Sequence, residues 1–199
     1  ASGEGGALTW RNHQGIDNEK MYKEFQLLTL HGQSKDALEK SALNSWEYDI
    51  IYPGYKRNMT DVVAAIGLVQ MKRFPALLSR RRQLIERYNE ALKDENVSVL
   101  PHYTDDYTSS GHLYLVRLTG RDSDERNQVI NQMAERGIAT NVHYKPLPMM
   151  TAYKRLGFDI KDYPNAYHQF ANEVTLPLHT RLTDEEVEFI LTNFKEIVH

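Results

Sequence analysis

Cysteine is absent from the chain, which excludes disulfides, thiolate metal sites and a cysteine nucleophile and fits a reducing compartment. A basic excess is missing too. The formal net charge is −3, whereas general nucleic-acid and membrane-surface binders usually carry surplus lysine and arginine. No apolar run approaches the roughly 20 residues of a membrane helix, and no signal-peptide pattern is visible. The glycine turn Gly3-Glu-Gly-Gly lacks the Gly-Lys-Ser/Thr ending of a phosphate loop and does not have dinucleotide-fingerprint spacing. The eight histidines include no pair at helical spacing around a glutamate, and no acidic loop has calcium-binding spacing, so no metal site is expected. A serine-nucleophile elbow is also lacking. No initiator methionine precedes Ala1, so the chain reads as part of a longer protein.

What is present suffices for a real core: 41% of the 199 residues are hydrophobic, and 12 are tyrosines. Residues 7–10 suit a short strand. Asp17 is placed to cap a helix reaching about Leu30, with Met21, Tyr22, Phe25 and Leu28 on its apolar face and His31-Gly32 closing it. Residues 33–52 show no clean period and read as a long loop, a length that is often functional. Thr60 then caps Val62-Val-Ala-Ala-Ile-Gly-Leu-Val, apolar on nearly every side and expected to be buried all round. Pro75 is expected to break that helix and start another to about Lys93, with Leu77, Leu78, Leu84, Ile85, Tyr88 and Leu92 on one face. The triplet Arg80-Arg81-Arg82 reads as a solvated face with local charge pairs.

From Val97 the grain changes. Strands are expected at 97–100, 112–118, 138–143 and 173–178, and helices at 123–136, 151–156 and 165–172. A last amphipathic helix follows the Thr183-Asp-Glu-Glu capping box. Such alternation indicates an α/β or α+β domain, a sheet covered by helices. We place a domain boundary near Asp94, giving 1–94 and 95–199.

Two places could carry chemistry. Lys56, Arg57 and Asn58 stand at the entrance of the apolar helix, where basic and amide groups suit an anion. Val142-His-Tyr-Lys-Pro-Leu-Pro ends an extended segment in a turn and sets His143, Tyr144 and Lys145 side by side, at a strand end of the kind where α/β proteins place ligands.

Taken in order, Gly3-Glu-Gly-Gly, Leu28-x-x-His31-Gly32, Gly54-Tyr55-x-x-Asn58-Met59-x-Asp61, Ala64-Ala65-x-Gly67-Leu68-x-Gln70, Arg80-Arg81-Arg82, His112-Leu-Tyr, Gly137-Ile138 and Val142-His-Tyr-x-Pro-Leu form a set. Over essentially the whole chain this set resembles the DegT/StrS sugar aminotransferases, pyridoxal-phosphate enzymes of the aspartate-aminotransferase fold (fold type I). The resemblance implies a homodimer with shared active sites and transfer of an amino group from glutamate to a keto-sugar on a nucleotide diphosphate, in the cytoplasm. It also implies that this chain is the C-terminal portion: the end of the large cofactor domain and the whole small domain. The Schiff-base lysine would then lie a few residues before Ala1, and the chain by itself would be inactive. By the same resemblance Asn58, with Lys56 and Tyr55, approaches the cofactor phosphate across the subunit interface. His143, Tyr144, Lys145 and His31 are the substrate-side residues. The family's usual Gly-Tyr-Asn-x-Arg-Met reads Gly54-Tyr-Lys-Arg-Asn-Met here, so a lysine and an asparagine replace asparagine and arginine. Sugar dehydration on the same scaffold, with a histidine in place of the lysine, and a non-catalytic dimerisation module are the alternatives.

Overall fold

Asp17 accepts the Lys20 amide at 3.1 Å and starts α1, Asn18–Thr29, as its position predicts. The computed structural model describes residues 5–11, 15–35 and 46–199. The turn expected at Gly3 and Glu4 and residues 36–45 of the long loop lie outside them. Two compact units emerge, Ala1–Arg73 and Phe74–His199.

In the first unit, residues 7–10 form no strand. Trp10 packs instead on α1: its ring lies 5.4 Å from that of Phe25, and its Nε1 donates to Asn18 Oδ1 at 2.9 Å. At the other end of α1 the Gly32 amide reaches back to Leu27 O at 2.7 Å. His31 and Gly32 both take positive φ, 60° and 73°. Residues 33–34 are bonded to 49–50, through the isolated bridge Gln33↔Ile50 and Ser34 N donating to Asp49 O at 2.9 Å.

The next helix, α2, runs Asp61–Leu92 without a break. Pro75 therefore does not end it, contrary to the sequence expectation. A proline removes one backbone bond, and here strong helix formers follow it and the later turns are fixed by burial of Leu84, Ile85, Tyr88 and Leu92. The apolar first half is not buried in this chain either: Val62 is 73% exposed, Leu68 66% and Met71 69%. The length estimate for apolar runs also needs amending, since α2 holds 18 consecutive residues of mean hydropathy 1.3, apolar enough by length and composition to cross a membrane, with none of that surface buried.

The second unit is built on an antiparallel sheet of β1 (Val97–Val99), β2 (Tyr114–Leu118) and β3 (Glu173–Leu176), with β2 in the middle. Val97 pairs with Leu118, and Tyr114 with Leu176. Alternation on β2 sends Tyr114, Val116 and Leu118 into the core. There they join the buried residues of α2, Val129 and Met133 of α3 (Ser123–Glu135), and Val187, Ile190 and Phe194 of α6 (Asp184–Val198). Both α3 and α6 open with complete capping boxes, on Asp122 and Thr183. Between them lie α4 (Thr151–Arg155) and α5 (Pro164–Ala171).

Residues 138–143 are not a strand. Asn141 Oδ1 accepts the Val142 amide at 2.7 Å, a local turn that ends extended pairing after one bridge to Thr175. Nor is the arginine triplet simply solvated. Arg80 donates to Leu182 O at 2.7 Å and pairs with Asp184 at 2.8 Å, and Arg81 donates to Gly111 O at 3.0 Å. Arg82 alone keeps the expected local pair, with Glu86 at 2.9 Å.

Candidate functional site

Each unit carries one of the two places singled out by the sequence. In the first, residues 52–58 run along the C-terminal end of α1 and take up carbonyls that every helix end leaves unpaired. Tyr55 N donates to Leu28 O at 2.8 Å, Arg57 N to Thr29 O at 2.8 Å and Asn58 N to Thr29 O at 3.1 Å, while His31 N donates back to Tyr55 O at 2.9 Å. Two glycines permit this approach. A Cβ on Gly32 would stand 1.9 Å from Tyr52 O, and one on Gly54 would stand 2.6 Å from Gly32 N.

The backbone so fixed presents its side chains outward. Lys56 Nζ donates to Asn58 Oδ1, which leaves the Asn58 amide N–H groups and the other ammonium hydrogens facing solvent. The Arg57 guanidinium lies 4.4 Å over the exposed Tyr55 ring. Two cations and an amide on a pinned loop fit a phosphate dianion, which needs fixed donors and positive charge. The structure thus brings Tyr55, Lys56, Asn58 and His31 together. The contribution of Arg57 through Tyr55 was not foreseen, although its place between Lys56 and Asn58 was visible.

In the second unit the extension of β3 by Asn141 is short but firm. Thr175 N donates to Asn141 O at 2.7 Å, and Asn141 N to Thr175 O at 3.2 Å. This sets His143 beside the strand. Its amide donates to Glu173 Oε2 at 2.9 Å, and its Nδ1 lies 2.8 Å from Thr175 Oγ1. Thr175 Oγ1 in turn donates to Glu173 Oε1 at 2.5 Å. Burial pushes the Glu173 carboxyl up, and the Thr175 hydroxyl, the His143 amide and the Arg126 charge oppose that rise. The Arg126 guanidinium is buried as well and donates to the carbonyls of Phe170 and Glu173, each at 3.0 Å. Tyr144 is 71% exposed, edge-on to His143 at 4.7 Å, and Lys145 is exposed.

Sequence reasoning missed Glu173, Thr175 and Arg126. A signal existed: Glu173 and Thr175 alternate with Val174 and Leu176, so two polar groups share one face of a strand too short to be polar by accident. Two open concavities, of about 290 and 310 Å³, lie elsewhere. One is bordered by Asn89, Lys93 and Val97, the other by Gly15, Asp17 and Lys20. Among the described residues no group of three or more His, Asp or Glu is placed to hold a metal.

Comparison with known proteins identifies the family of the chain. The sequence profile of the DegT/DnrJ/EryC1/StrS aminotransferase family matches residues 1–195. The spore coat polysaccharide biosynthesis protein SpsC of Bacillus subtilis is 33% identical over 202 residues, covering 100% of this chain and 50% of SpsC. Among solved structures, Spr1654 of Streptococcus pneumoniae, assigned by name to the sugar aminotransferases, is similar in its PMP form with a TM-score of 0.89 and 54% identity, over 96% of this chain and 48% of that one. Helicobacter pylori PseC, an aminotransferase involved in the biosynthesis of pseudoaminic acid, matches with a TM-score of 0.75 and 26% identity over 91% of this chain and 46% of its own. The chain spans about half the length of the relatives it matches. Its fold is that of part of a fold type I aminotransferase, a mixed helical and small-sheet portion of the α/β architecture expected. The chain belongs to the DegT/DnrJ/EryC1/StrS aminotransferase family.

Proposed function

We propose that the protein containing this chain is a pyridoxal-phosphate aminotransferase that moves an amino group from glutamate to a keto-sugar carried on a nucleotide diphosphate, in amino-sugar or polysaccharide biosynthesis. The observation that carries this reading is the Lys56–Asn58 pair on a loop whose backbone is fixed to α1. Family membership and the names of SpsC and PseC support the sugar substrate class. The bound cofactor supplies an electron sink for the carbon that exchanges nitrogen. The residues of this chain have narrower tasks. Lys56 and Asn58 hold the phosphate, and Tyr55 flanks them with Arg57 fixed on its ring. His143, Tyr144, Lys145 and His31 contact the sugar nucleotide.

The exposed apolar first half of α2, with Val62, Leu68 and Met71 around its circumference, suits cover by a second copy of the protein, so the working unit is a homodimer that shares its active sites, in the cytoplasm. None of the lysines in this chain is the one that carries the cofactor, and residues 1–199 alone give no absorbance band of bound cofactor.

The test is to incubate the full-length protein with pyridoxal phosphate, glutamate and a panel of nucleotide keto-sugars, and to follow the products by mass spectrometry. Gain of an amino group with formation of 2-oxoglutarate is expected. Loss of water from the sugar without gain of nitrogen would replace this reading with a dehydratase, and cofactor binding without turnover on any sugar would overturn it.

A further inference from the structure

We infer that Glu173 and Thr175 are positioning residues that hold His143 as the tautomer protonated on Nδ1, so that Nε2 is offered to the sugar nucleotide as a hydrogen-bond acceptor. This rests on the reading of His143 as a substrate contact and says what kind of contact it makes. The argument is one of donors and acceptors. Glu173 is 4% exposed and Thr175 5%, so water does not complete their bonding. An ionised carboxylate only accepts. Its Oε2 takes the His143 amide hydrogen and its Oε1 takes the Thr175 hydroxyl hydrogen. That hydroxyl has one hydrogen, already committed, and can meet His143 Nδ1 only as an acceptor, 2.8 Å away. Nδ1 therefore carries the proton, and neutral imidazole has its lone pair on Nε2. Nε2 has no partner among the described residues, and the ring around it is partly exposed.

Burial raises the Glu173 pKa, and the Thr175 hydroxyl, the His143 amide and the Arg126 charge oppose that rise. The Arg126 guanidinium from α3 is buried against the Glu173 main chain, and Tyr144 is the other titratable group on the ring. The backbone pairing of Asn141 with Thr175 fixes the distance between the histidine and the hydroxyl. Side chain and main chain of Thr175 thus hold the same segment. Such an arrangement selects a donor on the substrate, a sugar hydroxyl or a base N–H, over phosphate oxygens.

The experiment uses the full-length protein labelled with ¹⁵N-histidine, and H143Q to assign the resonance. Wild type should show His143 protonated at Nδ1. E173Q preserves shape but reverses the chain of donors: the amide donates to Thr175, which donates to Nδ1, so the spectrum should switch to the Nε2-protonated form. T175V should lose the preference and raise KM for the sugar nucleotide on the order of tenfold, the weight of about one hydrogen bond, with kcat changed less. T175S should restore both. An Nε2-protonated wild type overturns the inference, as does an E173Q spectrum identical to wild type or a T175V protein with the KM of T175S. A wild-type protein that aminates no sugar defeats the functional reading instead, and the spectra then decide the tautomer by themselves.

Discussion

Replacing Gly54 with alanine adds a methyl group where only backbone surrounds it. The new carbon would meet Gly32 N at 2.6 Å and both His31 C and Leu27 O at 3.0 Å. No flexible side chain can swing away, so residues 52–58 have to lift from the end of α1. Four bonds depend on their position: Tyr55 N to Leu28 O, His31 N to Tyr55 O, and Arg57 N and Asn58 N to Thr29 O. Losing two of them, at about 1 kcal/mol each, weakens the local structure by about 2 kcal/mol. That corresponds to roughly a 30-fold rise in the opening of the loop. Hydrogen exchange of the Tyr55 and Arg57 amides should accelerate by about that factor, and cofactor affinity should fall because Lys56 and Asn58 lose their fixed base. Gly6→Ala, in open space, serves as the control. Wild-type protection of both amides in Gly54→Ala would refute the claim that the loop is pinned, and with it the steric role of the glycine.

Three further outcomes follow from other parts of the chain. Lys56→Ala and Asn58→Ala in the full-length protein should each weaken pyridoxal phosphate binding by about 10- to 100-fold, the weight of a charge-assisted bond, and unchanged affinity in both would remove the phosphate assignment. His102 is buried against Tyr114, and burial holds its pKa below the ordinary value. Its neutral form is thus favoured in the fold: stability should be level above the unfolded value of about 6.5 and fall as pH drops through the lower folded value. Urea midpoints from pH 8 to 5 should show that decline in wild type and less of it in His102→Phe, and equal slopes would contradict it. Tyr88 is fully buried and donates to Pro177 O at 2.7 Å, so Tyr88→Phe should cost about 1–2 kcal/mol through the carbonyl left unpaired, and an unmoved urea midpoint would argue that this bond contributes nothing.

Where local chemistry decides, the sequence was readable. Asp17 and Thr183 mark helix starts because a cap is an interaction within four residues. The misreadings have two causes, one at long range and one local. Whether Pro75 stops α2 depends on what holds the later turns, and that is packing against residues up to a hundred positions away. Whether 138–143 becomes a strand depends on Asn141 taking the next amide. At the site, Lys56, Asn58 and His143 were legible as residue types in a familiar order. The hydrogen-bond chain behind His143 was not, because Glu173 and Thr175 lie some 30 positions away and are brought beside it by the bridge from Asn141 to Thr175.

The uncovered half of α2 brings these threads together. A helix with 18 sufficiently apolar residues could in principle be covered by lipid or by protein. Its charge-free stretch from Val62 to Met71, however, is followed at once by Lys72 and Arg73, and after one more apolar turn and a half by Arg80, Arg81 and Arg82. At 1.5 Å per residue, that stretch spans only about half of a hydrocarbon core of about 30 Å. A crossing helix would carry Lys72 and Arg73 inside the membrane, at roughly 2.5–3.5 kcal/mol each even on lenient scales. Two of the downstream arginines are instead bound to Leu182, Asp184 and Gly111 of the second unit, which commits that end of the helix to a protein core. Protein is therefore the cover that suits Val62, Leu68 and Met71, and the same helix is preceded directly by Lys56 and Asn58. A second copy covering that half of the helix would also meet the loop of Lys56 and Asn58, so the proposed homodimer and the proposed phosphate contact are tested together.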